Sequence, residues 1–160
     1  MDSKAGRFAK VFLNPETKPS EQVTLFLAMY DMLGQDTSIP DGFVNSELVI
    51  ELISFIAKYK DKCKEIVKPC VEMIWRVANE IEDTLNSDLM FAIGTFLSTN
   101  DQQIKKESAA MFTKVAPKET IIQGYIVSGL VGKYIAVVGN LMQPWEERFN
   151  HLLILMRLSA

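Results

Sequence analysis

His151 is the sole imidazole in the chain, and Cys63 and Cys70 are its two thiols. A general base needs a nucleophile or an orienting carboxylate within hydrogen-bond reach. His151 instead follows Trp145 and Phe149 in a helical pattern, and the chain contains no Gly-x-Ser-x-Gly and no paired-cysteine motif. It reads as a structural or surface residue. One histidine and two cysteines also fall short of a four-ligand zinc site built from nitrogen and sulfur. The thiols sit seven residues apart, which is about 10 Å along a helix. That is too far for a disulfide unless Pro69 breaks the helix, so two free thiols in a reducing compartment are expected. Glu80, Glu82 and Asp83 form an acidic cluster that suits a solvated face better than a catalytic pair. No glycine-rich loop follows a strand to cradle phosphate. We expect no catalytic residue, no cofactor and no metal, and a chain that is not an enzyme.

Charge narrows the partners. With 17 basic and 20 acidic side chains the net charge is −3 and the pI is near 5.2. Such a balance gives no electrostatic support to indiscriminate nucleic-acid binding. Local lysines occur at 58, 60, 62, 64 and 68, and again at Lys105 and Lys106. A solvated helix face accounts for them. The chain lacks a basic-then-apolar leader, and a cytoplasmic location is expected. Its pattern reaches Leu158-Ser159-Ala160 still in helical register. Membrane attachment is therefore expected only if truncation has removed a C-terminal anchor.

The elements that would position these residues are helical. Of the 160 residues 48% are hydrophobic, and the 8 glycines and 6 prolines are too few for a disordered chain. No period-two run is long enough for a strand. Residues 1–19 read as an arm, with Phe8, Val11 and Phe12 in one apolar turn ended by Pro15 and Pro19. Ser20 is a candidate N-cap for a helix to Leu33, closed by Gly34. Pro40-Asp41-Gly42 marks a turn. Asn45 or Ser46 caps a second helix to about Lys62, and a third runs from Pro69 to about Leu85. A short fourth spans Leu89 to Leu97. Asn100 or Asp101 caps a fifth through Val115. Thr120 opens a sixth, and Gln143 or Pro144 starts a seventh.

The sixth segment dominates the reading. Residues 121–142 are apolar nearly all round, apart from Tyr125, Lys133 and Tyr134. A helix of that kind is buried on most sides or sits in lipid. Gly124, Gly132 and Gly139, with Ser128, share one face and allow neighbouring helices to come close. The rest of the chain is too charged to be membrane-bound. The expected fold is all-α: a single domain over residues 20–160, in which six to seven helices surround a buried central helix at about 121–142.

Three segments resemble the Bcl family of apoptosis regulators. Val23 to Leu33 looks like the family's first helix, an apolar stripe with an aromatic near its end. Ser128-Gly-Leu-Val-Gly-Lys-Tyr-Ile-Ala136 is similar to its central-helix signature, matching at Gly132, Lys133 and Ala136, with Val131 where the signature has an aromatic. Trp145-Glu-Glu-Arg-Phe149 and the run that follows look most like the poxviral Bcl-like immune modulators. No Leu-x-x-x-Gly-Asp helix is found. The resemblance implies sequestration of host pro-apoptotic or innate-signalling proteins. An amphipathic helix of the partner would enter a groove, or the outer helix faces would bind a signalling protein or a second copy of the chain. The groove candidates are Phe55, Tyr59, Met73, Met90, Phe91, Met111, Lys133 and Tyr134. The resemblance makes Lys133 the cation that pairs with an acid on the ligand. Met among these residues also suits an adaptable apolar surface. Two readings stand beside this one: a viral nucleocapsid or capsid-type helical domain that self-assembles, and an adaptor domain of unspecified partner.

Overall fold

A computed structural model describes residues 3–34, 38–82 and 86–158. Asp83 and Leu85, and the side chains of Tyr125 and Ser128, lie outside the described residues. The architecture is all-α, with nine α-helices and no strand among the described residues. They are α1 (Lys4–Leu13), α2 (Pro19–Leu33), α3 (Ser46–Tyr59), α4 (Val67–Glu80), α5 (Ser87–Leu97), α6 (Gln102–Lys114), α7 (Glu119–Ser128), α8 (Leu130–Gly139) and α9 (Trp145–Leu158). Short 3₁₀ turns occupy Asp41–Phe43 and Lys64–Ile66. The chain divides into two compact units, Met1–Ile81 and Glu82–Ala160.

Local chemistry sets the helix starts. Asn45 accepts a hydrogen bond from the Glu47 amide at α3. Asn86 does the same for Leu89 at α5, and Asp101 for Ile104 at α6. Each satisfies a donor that the first helical turn leaves open. Ser20 is not a cap. Pro19 takes the first helical position, where its fixed φ is already helical and its missing N–H costs nothing, and Lys18 precedes it without a side-chain bond. The third helix starts two residues before Pro69 and ends at Glu80, because Ile81 turns extended.

In the first unit, α1 is a packed helix rather than a loose arm. Phe12 is fully buried, and its ring lies 5.4 Å from that of Phe55. Phe55 in turn meets Phe26 at 5.3 Å and Tyr59 at 4.9 Å. Rings at these separations gain beyond their burial, by about 0.5–1.5 kcal/mol a pair. Trp75, Met73, Met29, Leu52 and Phe43 complete this core. Gly42 lets the 3₁₀ turn press onto α1, since a Cβ there would strike the Gly6 backbone, with its Cα at 2.7 Å. At the polar edge, Tyr30 donates to Glu72 at 2.7 Å, and Arg76 donates to the Gly34 carbonyl at 2.8 Å. Gly34, at φ +60°, ends α2.

In the second unit, α5 packs on α7, and α9 packs on both α6 and α8. Leu89, Ile93, Ile104, Phe112 and Ile121 are buried. Gly124 permits the α5–α7 contact, because a Cβ there would collide with Ile93 Cγ2 and stand 3.2 Å from its Cβ.

The continuous buried helix expected over 121–142 is corrected. Gly129 adopts a left-handed conformation, φ +73° and ψ +11°, which a right-handed helix cannot continue through. The segment is two ten-residue helices, α7 and α8. Nor is α8 enclosed. Tyr134 is buried, but Lys133, Ile135, Ala136 and Gly139 are exposed. A Cβ on Gly132 or Gly139 would meet nothing within 4 Å, so only Gly124 of that glycine face serves close packing. Among the described residues, no helix is long and apolar enough to cross a membrane.

Candidate interaction face

The second unit carries an apolar surface where α8 turns into α9. Asn140 makes the turn. Its side chain accepts from the Met142 amide at 3.0 Å, and its carbonyl accepts from the Gln143 amide at 3.1 Å. Two hydrogen bonds closing on one residue hold the turn tight. Leu141 and Met142 project from it, 81% and 91% exposed. Pro144 then leads into α9, its carbonyl accepting from the Arg148 amide. Glu146 and Glu147 sit in the first turn, where the helix dipole favours acids.

Polar contacts anchor the inner side of α9. Arg148 donates from Nε to the Val138 carbonyl at 3.0 Å, placing a cation at the C-terminal end of α8. Lys105 of α6 pairs with Glu147 at 3.4 Å; the pair is partly solvated, so it contributes at most about 1 kcal/mol. The buried His151 donates from Nδ1 to the Glu147 carbonyl at 2.6 Å. The Tyr134 ring meets His151 edge-on at 4.4 Å, and its hydroxyl donates to the Leu97 carbonyl at 3.0 Å. His151 is thus held between a backbone carbonyl and a ring.

The outer side is different. Trp145 and Phe149 stack at 4.9 Å with their planes 16° apart. The pair borders two shallow clefts. One, of about 270 Å³, is lined by Val138, Trp145, Arg148, Phe149 and Leu152. The other, of about 280 Å³, shares Trp145 and Phe149 and is lined besides by Gln102 and Lys106 of α6 and by Glu146, Glu147 and Asn150 of α9. The first is apolar with one cation at its edge, and the second mixes charges of both signs. Shallow clefts with an aromatic step suit a side chain of another protein better than a buried small molecule.

The eight groove candidates are divided between the two units. Phe55 and Met73 lie in the core of the first unit and offer no surface. Tyr59 is half-buried there, its hydroxyl donating to Gln22 at 3.3 Å. In the second unit Met90 and Tyr134 are buried, Met111 is half-buried, and Phe91 and Lys133 are exposed. A helical period marks a residue as apolar-facing but does not say whether that face meets the core or solvent. Trp145, Phe149, Leu152 and Val138 were missed as lining residues. For Trp145, Phe149 and Leu152 the signal was the second apolar spacing on α9.

The remaining reactive groups are quiet. Burial pushes the Cys70 thiol well up, and its sulfur lies 3.8 Å from the Leu52 carbonyl. Cys63 is also raised, chiefly by its hydrogen bond to Glu65 at 3.2 Å, which lowers the carboxyl of Glu65. A thiol held protonated is a poor nucleophile and metal ligand. Lys58, Lys62, Lys64 and Lys68 are exposed and Lys60 is half-buried, as a solvated face requires. Among the described residues, no group of three or more His, Cys, Asp or Glu side chains could hold a metal ion. Compared with protein-family models, curated proteins and solved structures, the chain finds no match.

Proposed function

We propose that this chain is a non-enzymatic protein–protein interaction module that receives an amphipathic helix of another protein on the α8–α9 face. The observation that carries the reading is the exposed Trp145–Phe149 pair above an apolar cleft, next to Leu141 and Met142. A monomeric protein rarely leaves large apolar side chains contiguous and open without a use for them. An amphipathic helix would seat its i, i+3, i+4 and i+7 anchors on such a surface.

In its Bcl-like form the partner is a pro-death or innate-signalling protein, sequestered through that helix. Lys133, exposed on α8, would then face an acid on the ligand. Lysine binds a carboxylate as a point charge rather than a two-pronged clamp, so this pair would be weaker than one made by arginine. The test is fluorescence anisotropy with a panel of amphipathic peptides, death-motif helices included. Submicromolar binding weakened by Phe149→Glu supports the face. Weakening by Lys133→Glu as well supports the Bcl-like form. A folded protein that binds none of the panel overturns the helix-receiving reading.

A further inference from the structure

The two clefts beside the Trp145–Phe149 pair differ in charge. On the α6 side Lys106 and Glu146 offset one another, and Glu147 is held by Lys105 at 3.4 Å. That cleft has no net charge with which to attract an ion. On the α8 side Arg148 is the one ionised residue of the lining, set among Val138, Trp145, Phe149 and Leu152. The apolar cleft therefore carries a single, uncompensated positive charge.

Arg148 is half-buried, and its guanidinium is already oriented by the bond from Nε to the Val138 carbonyl. A guanidinium has five N–H donors in one plane. The four on its two terminal nitrogens meet no acceptor among the described residues. A cation beside apolar side chains is partly stripped of water, so an anion that bonds it directly is favoured there. A carboxylate suits this edge, because its two oxygens match the two terminal nitrogens. Since one bond fixes the plane beforehand, little freedom is lost when the acid arrives.

The size of the cleft sets the rest of the ligand. At about 270 Å³ it falls below the ~300–1,000 Å³ of small-molecule sites. It holds one large side chain and not a ligand buried whole. Apolar walls and guanidinium belong to the same cleft, so the partner's apolar group and its acid must be close neighbours. Positions one turn apart on a helix, with about 5–6 Å between Cβ atoms, meet that condition.

We infer that Arg148 selects the partner: the helix received on the α8–α9 face carries an Asp or Glu one turn from a large apolar anchor. The anchor enters the cleft beside Trp145 and Phe149, and the carboxylate bonds the terminal nitrogens of Arg148. The inference rests on the helix-receiving reading of this face and adds the charge that the partner must bear. Lys133 lines neither cleft, so the acid is assigned to Arg148 in its place.

The probes are fluorescein-labelled amphipathic helical peptides of one designed sequence, with Leu anchors at i, i+3, i+4 and i+7. A single Glu is placed one turn from an anchor, and a matched peptide has Gln there. On the full chain the Glu peptide should bind about tenfold more tightly than the Gln peptide, or better. Arg148→Met should bring the two within twofold, while Lys64→Met, an exposed lysine of the first unit, should leave the ratio unchanged. Because Arg148→Met also removes the bond to Val138, the same point is read on the wild type. The Nε–H resonance of Arg148 should shift with the Glu peptide and hold still with the Gln peptide. Equal binding of the two peptides by the wild type overturns the inference and keeps the helix reading. So does a Glu preference that survives Arg148→Met or that Lys133→Met abolishes instead. A folded chain that binds neither peptide removes both; if 3-phenylpropionate then shifts the Arg148 resonance, the cleft takes a small apolar acid and no helix.

Discussion

The two units spend their apolar residues differently. In Met1–Ile81 the rings of Phe12, Phe26, Phe55 and Tyr59 adjoin one another, and Trp75, Phe43, Met73 and Met29 are buried with them. Only Val11, Leu27 and Val44 are large apolar side chains left exposed among the described residues there. Among the described residues of Glu82–Ala160 the largest fully buried side chain is Phe112, and Phe91, Ile126, Ile135, Leu141, Met142, Trp145, Phe149, Leu152 and Met156 are all exposed. Hydrophobic content alone does not separate a unit that closes its apolar faces from one that leaves some exposed. What separates them is whether the apolar faces have neighbours. The first unit has converted its apolar surface into packing. The second has kept part of it exposed, where it contributes little to stability.

The largest effect should come from the first unit's ring cluster. Phe12→Ala deletes a fully buried ring and should cost about 3–5 kcal/mol in urea unfolding. Phe149→Ala on the open face should change stability by no more than about 0.5 kcal/mol. Equal losses at the two sites would erase the distinction between the units.

A smaller effect should appear at the α5–α7 contact. Gly124→Ala places a methyl against Ile93 and should destabilise by about 1–3 kcal/mol. In a double-mutant cycle with Ile93→Ala the two losses should fall short of additive, by at least about 0.5 kcal/mol. Full additivity would mean that the helices do not meet there, and that the second unit is looser than described.

The smallest effect is in pH dependence. Burial first, then the hydrogen bond to Glu72 and its charge, push the Tyr30 phenol from 10.0 up to about 12. The folded chain therefore holds this proton where the unfolded chain loses it. The associated stability is fully present below pH 10 and is lost as pH rises towards 12. Relative to the wild type, Tyr30→Phe should lose less stability between pH 9 and pH 11, read from urea midpoints. An unchanged difference across that range would remove the α2–α4 polar edge from the comparison.

Much of the helix plan was legible in the residues. Asn45, Asp101, Pro144 and Gly34 mark their boundaries by local rules, because caps and stops depend on hydrogen bonds and backbone angles a few residues apart. The site was much less legible. Phe55 and Met73 satisfy the pattern of a groove as well as that of a core, and a helical period cannot say which. Residues 1–19 read as an arm because Phe8, Val11 and Phe12 gave only one turn, yet Phe12 belongs to a cluster whose other rings come from α2 and α3. Its partners are distant in sequence, so no local window contains them.

The sequence by itself determined that this protein is helical and where most helices begin and end. Those properties follow from short-range hydrogen bonding and from residue types. Only the tertiary structure decided that residues 121–142 are two helices parted by a left-handed glycine, that Tyr134 turns inward beside an outward Lys133, and that α9 has one face closed and one open. Burial belongs to pairs of surfaces, and a sequence names only one member of each pair.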